Sequence, residues 1–220
     1  MKYKDFRPRL KGNKLLAYEN LNTPERRILV IGDLHEPFTH PDYLDFCKEV
    51  YAKHLLNQVI FIGDIVDSHG WNYHESDPDG MSPGDELSLA IKKISFWYKS
   101  FPKADVCIGN HDRMASRKVF SAGVPQKWLR SYNDILGTPG WNWIENVVYD
   151  DVLYEHGEGG QAQMKAKNNM MRFRVFGMQT GCGIGIKSYA TAYAKNFKRQ
   201  ALGVGVVLGG HTAFNCMMDL

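Results

Sequence analysis

No two of the four cysteines, Cys47, Cys107, Cys182 and Cys216, form a C-x-x-C pair. That absence argues against a disulfide frame or a thiolate zinc site and fits reduced core thiols in a cytosolic-type compartment. No run reaches the ~18 apolar residues of a membrane span. The opening M-K-Y-K-D-F-R-P-R-L-K-G-N-K has no apolar core of an export leader, so a cytoplasmic protein with no membrane partner is expected. Charge of one sign is scarce as well. The net charge of +3 is too small to imply nucleic acid and supports only a weak preference for anionic partners. Repeats and linker-like stretches are missing too. One domain is therefore expected over residues 27–220, behind a polar, basic arm at 1–26 broken by Pro8 and Pro24.

What is present is a set of short apolar runs, each ending in a polar signature. R-I-L-V-I-G-D-L-H covers Arg27 to His35, Q-V-I-F-I-G-D-I-V-D covers Gln58 to Asp67, and A-D-V-C-I-G-N-H-D covers Ala104 to Asp112. Near-continuous β-branched runs suit strands buried on both faces, as in a sheet covered by helices. Helical spacing separates them, over His40–Leu56 and Asp85–Phe101. Between the second run and that second helix lies a long polar loop, His69–Glu86. Loops of that length inside a domain are usually functional or mobile. Val147–Gly157 predicts a hairpin turning at Asp150-Asp151, Gly160 to about Met171 a helix, and Phe173–Ile186 and Gly203–Met217 Gly-rich strands.

In α/β sheets, ligands collect beyond the carboxyl ends of the strands, where all three signatures sit. Asp33 and His35 are two residues apart and on extended backbone project to one side. Asp64 opens the loop after the second strand, Asn110 and His111 open the loop after the third, and His156 follows another apolar strand. Carboxylate, imidazole and amide donors suit manganese, iron, zinc or magnesium ions rather than soft thiolate metals. Singly, each has a plain structural explanation, such as a Gly-Asp turn or an Asn helix cap. Jointly, D-x-H, G-D-x-x-D and G-N-H-D, each directly after a strand and in this order, are far more specific.

The pattern resembles the calcineurin-like metallophosphoesterase superfamily of phosphomonoesterases, phosphodiesterases and nucleases, well over residues 27–160 and loosely beyond. The resemblance implies an α/β fold: two mixed β-sheets packed as a sandwich, flanked by helices, with two divalent metal ions at one edge. Manganese is the expected ion, with iron, zinc, magnesium or nickel as alternatives. Carried over, Asp33 and His35 bind the first metal, Asp64 bridges both, and Asn110 and His156 bind the second. His111 becomes the proton donor or transition-state contact, supported by Asp112 or Asp67, and Arg113 a substrate contact. The look of D-L-H-E-P-F and M-Q-T-G-C-G is similar to phage-encoded and bacterial members.

The chain departs from the family in one element, Gly-His-x-His, which gives one ligand to each metal. Its expected place falls near Met171–Arg172, where no such motif stands. The stretch V-L-G-G-H-T-A carries His211 but has Ala213 where the second imidazole belongs. Either His211 fills a weakened site through a rearranged connection, or a segment is missing near Met171–Arg172 and Gly209-Gly210-His211 is a hairpin turn. The second is preferred, because chain order changes less readily than one side chain. The protein Ser/Thr phosphatase subclass is disfavoured, because G-D-I-V-D-S-H-G lacks its Arg and G-N-H-D-R its Glu. Arg113, Arg117, Lys118, Arg172 and Arg174 would grip a phosphate chain. Trp71, Tyr73, Trp141 and Trp143 would stack bases if they line the cleft. A phosphate-ester substrate is expected, with nucleic-acid or nucleotide diesters preferred. A small phosphomonoester, or a metal-poor binding module, is the alternative.

Overall fold

The computed structural model describes residues 25–73, 79–157, 177–185 and 201–219. Its main sheet has six strands: β1 (Arg27–Ile31), β2 (Gln58–Phe61), β3 (Ala104–Cys107), β4 (Trp141–Ile144), β7 (Gly203–Leu208) and β8 (Thr212–Met217), in the order β4-β3-β2-β1-β7-β8. The first four run parallel, and β7 and β8 join antiparallel, so the sheet is mixed. A two-stranded antiparallel hairpin, β5 (Asn146–Tyr149) and β6 (Val152–Glu155), forms a second sheet.

Strand alternation explains why the apolar runs looked continuous. Leu29, Ile31, Val59, Phe61, Val106, Val204 and Val206 face one core, packed under α1 (Tyr43–Lys53) and α2 (Pro83–Ser100) through Tyr43, Cys47, Val50, Ala90, Ile94 and Trp97. Ile28, Val30, Ile60, Cys107 and Val207 face a second core, closed by Val147, Tyr149, Val152 and Tyr154 of the hairpin. Two buried faces remove the period-two signal.

Element ends differ from the sequence expectations for local reasons. Helix α2 begins two residues early because the Ser82 hydroxyl accepts from the Asp85 amide at 3.2 Å and Pro83 takes the first helical position. Helix α1 stops at Lys53, where Leu55 turns left-handed (φ 50°) and the Leu56 amide reaches back to the Tyr51 carbonyl at 3.0 Å. The Arg27 guanidinium closes that end on the His54 and Leu55 carbonyls. Three short elements were missed: α3 (Met114–Ser121), α4 (Tyr132–Leu136) and β4. Each is too brief for a period to emerge. The supposed polar loop His69–Glu86 also holds a 3-10 turn at His69–Trp71 and the first turn of α2. Of the strand expected over Phe173–Ile186, residues 177–185 make only isolated bridges, Cys182 to Leu202 and Ile184 to Thr39. The helix expected from Gly160, the Met171–Arg172 junction, Arg172 and Arg174 lie outside the described residues.

The hairpin turns as expected at Asp150 and Asp151, both left-handed (φ 51° and 61°). None of the four cysteines, all among the described residues, is in a disulfide. Among the described residues no helix is long and apolar enough to cross a membrane.

Candidate metal centre

Beyond the carboxyl ends of β1, β2 and β3, three loops are tied together by their own backbones. The Leu34 and His35 amides donate to the Asp64 carbonyl at 3.1 and 2.9 Å, and the Glu36 amide donates to that of Ile65 at 2.9 Å. These bonds hold His35 (φ 49°) and Asp64 (φ 48°) in the left-handed region, which costs on the order of 1 kcal/mol per residue. The third loop closes over the second at Gly109. A Cβ there would stand 2.1 Å from Asp64 Oδ1 and 2.3 Å from the Asp64 nitrogen, so only glycine lets the loops meet. Asp112 then fastens the contact: its carboxylate accepts from the amides of Gly109 (2.9 Å), Ile65 (3.0 Å) and Val66 (3.3 Å).

His156 arrives from the other core. It follows β6 directly, and the hairpin is moored by the Tyr149 hydroxyl donating to Asp105 Oδ2 at 2.9 Å. Asp105 also accepts from Gln58 and Asn142, so one carboxylate on β3 ties β2, β4 and β5 together.

These placements converge on Asp64. Its Oδ1 accepts from the His111 backbone amide at 2.8 Å. Its Oδ2 lies 3.5 Å from His35 Nε2 and 3.3 Å from His156 Nε2. Both imidazoles have the other nitrogen engaged: His35 Nδ1 meets Asp67 Oδ1 at 2.5 Å, and His156 Nδ1 donates to the Ile62 carbonyl at 2.8 Å. That pattern fixes the tautomer that presents Nε2 to a metal. Asn110 Oδ1 sits 3.0 Å from His156 Nε2, and Asp33 Oδ1 3.7 Å from His156 Nδ1.

Asp33, His35 and Asp64 have donor atoms within 4.8 Å of one another, as do His35, Asp67 and His111. The second trio is a hydrogen-bonded relay rather than a cage. His35 Nδ1 is already on the Asp67 carboxylate and His111 Nδ1 on the Asp67 carbonyl. The His111 ring packs edge-on against that of His35, centroids 4.5 Å apart. So Asp67 is the neighbour of His111, and Asp112 is turned to backbone amides instead. The donors that remain, carboxylate, imidazole and amide oxygen without thiolate, fit a hard or borderline divalent cation.

The electrostatics point the same way. Burial raises the Asp33 pKa, and the Asp64 charge adds to the rise. Burial alone would lower His35 and His156. The Asp67 hydrogen bond and the Asp64 charge outweigh it at His35, and Asp64 does so at His156, so both are raised to about 9. Asp64 itself is lowered despite burial, held by His156 and His35. Burial and the Asp64 charge push Asp112 up to about 7.

Other sequence candidates land elsewhere. The Arg113 guanidinium pairs with Glu145. Trp141 is not at the cleft but in the core, 2% exposed, against Phe61 at 4.8 Å. Trp143 stacks on Tyr132 at 4.4 Å and donates to Asn133. His211 is settled by register. Antiparallel pairing puts Leu208 opposite Arg27 and Val204 opposite Ile31, so the β7–β8 turn lies at the far end of β1 from Asp33. Gly209 and Gly210 are left-handed there, and His211 Nδ1 donates to the Leu208 carbonyl at 2.7 Å. His211 is a turn residue.

Two buried carboxylates went unnoticed in the sequence. Glu36 accepts from Trp97 Nε1 at 2.8 Å, and Glu86 accepts from the His69 and Gly70 amides, both at 2.8 Å. The available signal was the spacing of Lys93 and Trp97, one turn apart on α2, facing Glu36.

Fold and donor set together define a class: an α/β protein built to hold divalent metal at the ends of its parallel strands. The chain belongs to the calcineurin-like phosphoesterase family, whose model matches residues 26–214. That family consists of metal-dependent phosphoester hydrolases. No curated protein matches the chain.

Proposed function

We propose that the protein is a phosphodiester hydrolase working with two divalent cations, manganese first among them, shared across Asp64. The observation that carries this reading is the single oxygen Asp64 Oδ2, flanked by His35 Nε2 at 3.5 Å and His156 Nε2 at 3.3 Å. Asp33, His35 and Asp64 would hold one cation, and Asp64, Asn110 and His156 the other. When bound, the cations supply positive charge to phosphate oxygens and lower the pKa of the attacking water. His111 gives a proton from Nε2 to the leaving oxygen, its Nδ1–H being held on the Asp67 carbonyl. Asp112 is a positioning residue that keeps the His111 loop folded over Asp64. Arg113 exchanges Glu145 for a phosphate oxygen.

The raised imidazoles yield a direct expectation. Below about pH 9 each carries a proton on the nitrogen a cation needs. Metal uptake at neutral pH therefore releases roughly one proton per imidazole, and each site weakens about tenfold per pH unit below that value. Calorimetry in buffers of different ionisation enthalpy measures the count; uptake without proton release would refute the ligand assignment.

The reading is tested by hydrolysis of bis-p-nitrophenyl phosphate and p-nitrophenyl phosphate with manganese, alongside metal content. Faster turnover of the diester supports it. Turnover of the monoester alone would make the protein a phosphomonoesterase. No metal and no turnover would make the cleft a binding module.

A further inference from the structure

We propose that α3 and the exposed stretch Phe120–Trp128 form a docking ledge that leads single-stranded nucleic acid into the metal centre. The proposal names the substrate class of that centre and rests on the diesterase reading above.

The first support is charge. Residues 113–133 contain Arg113, Arg117, Lys118, Lys127 and Arg130 and no acidic residue, in a chain whose net charge is only +3. The Arg117 and Lys118 cations sit over the Tyr73 ring, 4.8 and 4.0 Å from its centroid, and Lys118 also donates to the Asn72 carbonyl at 3.3 Å. Among the described residues those contacts hold both side chains without an acidic partner, which leaves their charge for phosphates.

The second support is exposed aromatic surface. All nine residues from Phe120 to Trp128 are exposed, with Phe120 at 76% and Trp128 at 77%. Among the described residues neither ring packs into a core, and apolar surface left in water beside a site marks a binding face. Between α3 and Tyr73 runs an open groove of about 410 Å³, lined by Ser116, Arg117, Phe120, Ser121 and Gln126. Bare π-faces beside backbone-tracking cations suit single strands, because every base has a face to stack. A duplex hides its bases and would leave Phe120 and Trp128 in water.

The third support is continuity with the chemistry. Helix α3 grows out of the His111 loop, with the Arg113 amide on the Gly109 carbonyl (3.1 Å) and the Met114 amide on that of His111 (3.0 Å). The Tyr73 wall continues the chain that carries Asp64 and Asp67. Phe120 stands about 9 Å along the helix from Met114. A strand crossing the ledge thus meets the centre through its own backbone. An anionic membrane would share the attraction to basic and aromatic groups and also carries phosphodiesters, but it offers no bases to stack on Phe120 and Trp128 or to enter the groove beside Tyr73.

The test is fluorescence anisotropy of a labelled, hydrolysis-resistant phosphorothioate oligothymidylate on the manganese-loaded full chain. Phe120→Ala and Trp128→Ala are each expected to weaken binding roughly tenfold. Arg117→Ala and Lys118→Ala should each reduce the slope of log K against log salt by about 0.7. In the same variants, checked for an unchanged melting temperature, the ratio of kcat/KM for an unmodified oligonucleotide to that for bis-p-nitrophenyl phosphate falls. Wild-type affinity in both aromatic variants, or equal affinity for duplex, overturns the ledge. Binding to phosphatidylglycerol vesicles without oligonucleotide binding also overturns it and assigns the face to a membrane. Oligonucleotide held on the ledge with neither nitrophenyl ester cleaved would keep the ledge and sink the diesterase reading.

Discussion

Replacing Asp64 with Asn is expected to remove dinuclear metal binding and to lower kcat/KM for bis-p-nitrophenyl phosphate by about 10³-fold or more. The substitution is chosen for its geometry. Position 64 has φ 48°, where Ala would be strained but Asn is tolerated. Asn keeps an oxygen to accept the His111 amide, the 2.8 Å bond that joins the two loops. What changes is the atom at Oδ2, where an acceptor between two imidazole nitrogens becomes a donor. An amide NH₂ cannot ligate a cation, and several kcal/mol of transition-state charge stabilisation go with it, at tenfold per 1.36 kcal/mol. Two further readouts separate this from misfolding. Manganese should raise the melting temperature of the parent but not of the variant. The variant should also lose most of the proton release, because Asp64 is what raises His156 and helps to raise His35. Retention of two metals per chain with full activity would remove Asp64 from the centre.

The parts of this arrangement that were legible in the sequence share one property: they sit immediately after a strand. Asp33, Asp64, Asn110 and His156 follow β1, β2, β3 and β6 within three residues, so strand position carried them to one edge without any knowledge of side-chain packing. The supporting residues have no such shortcut. Asp67 is one of two candidate supports of His111 in sequence, and in space it lends its carbonyl to His111 while its carboxylate orients His35, a role the chain order does not show. Asp112 is adjacent to His111 in the chain and turned away from it, because three backbone amides claim its carboxylate. His211 carried the right residue type, but only strand register tells which end of the sheet it occupies. Aromatics misled for a related reason. Trp141 and Trp143 share one face of β4 with Asn142 on the other, and alternation alone does not reveal which face is buried. Phe120 and Trp128, in contrast, looked unremarkable in sequence and are bare in the fold.

His111→Asn is expected to keep its metals and lose about 10²–10⁴-fold in turnover of a diester with a poor leaving group. The backbone and the side chain of His111 do separate jobs. Its amide holds Asp64 Oδ1 at 2.8 Å and is kept in the change to Asn, so the ligand geometry around Asp64 is kept. Its ring is held at Nδ1 by the Asp67 carbonyl and packs edge-on against His35 at 4.5 Å, which leaves Nε2 to face a substrate. Asn can donate to the same carbonyl but has no proton to transfer. The leaving group therefore decides the size of the effect. A nitrophenolate departs as a stable anion and needs little protonation, whereas an alkoxide from a dialkyl or nucleotide diester needs it almost fully. The loss should be small on bis-p-nitrophenyl phosphate and large on the nucleotide ester. An equal loss on both would make His111 a charge contact to the transition state rather than an acid. Loss of metal would place its ring among the ligands, in the trio with His35 and Asp67. Each result assigns the ring a different position relative to the scissile bond, and only unequal loss with metal retained fits an imidazole anchored at Nδ1 and acting through Nε2.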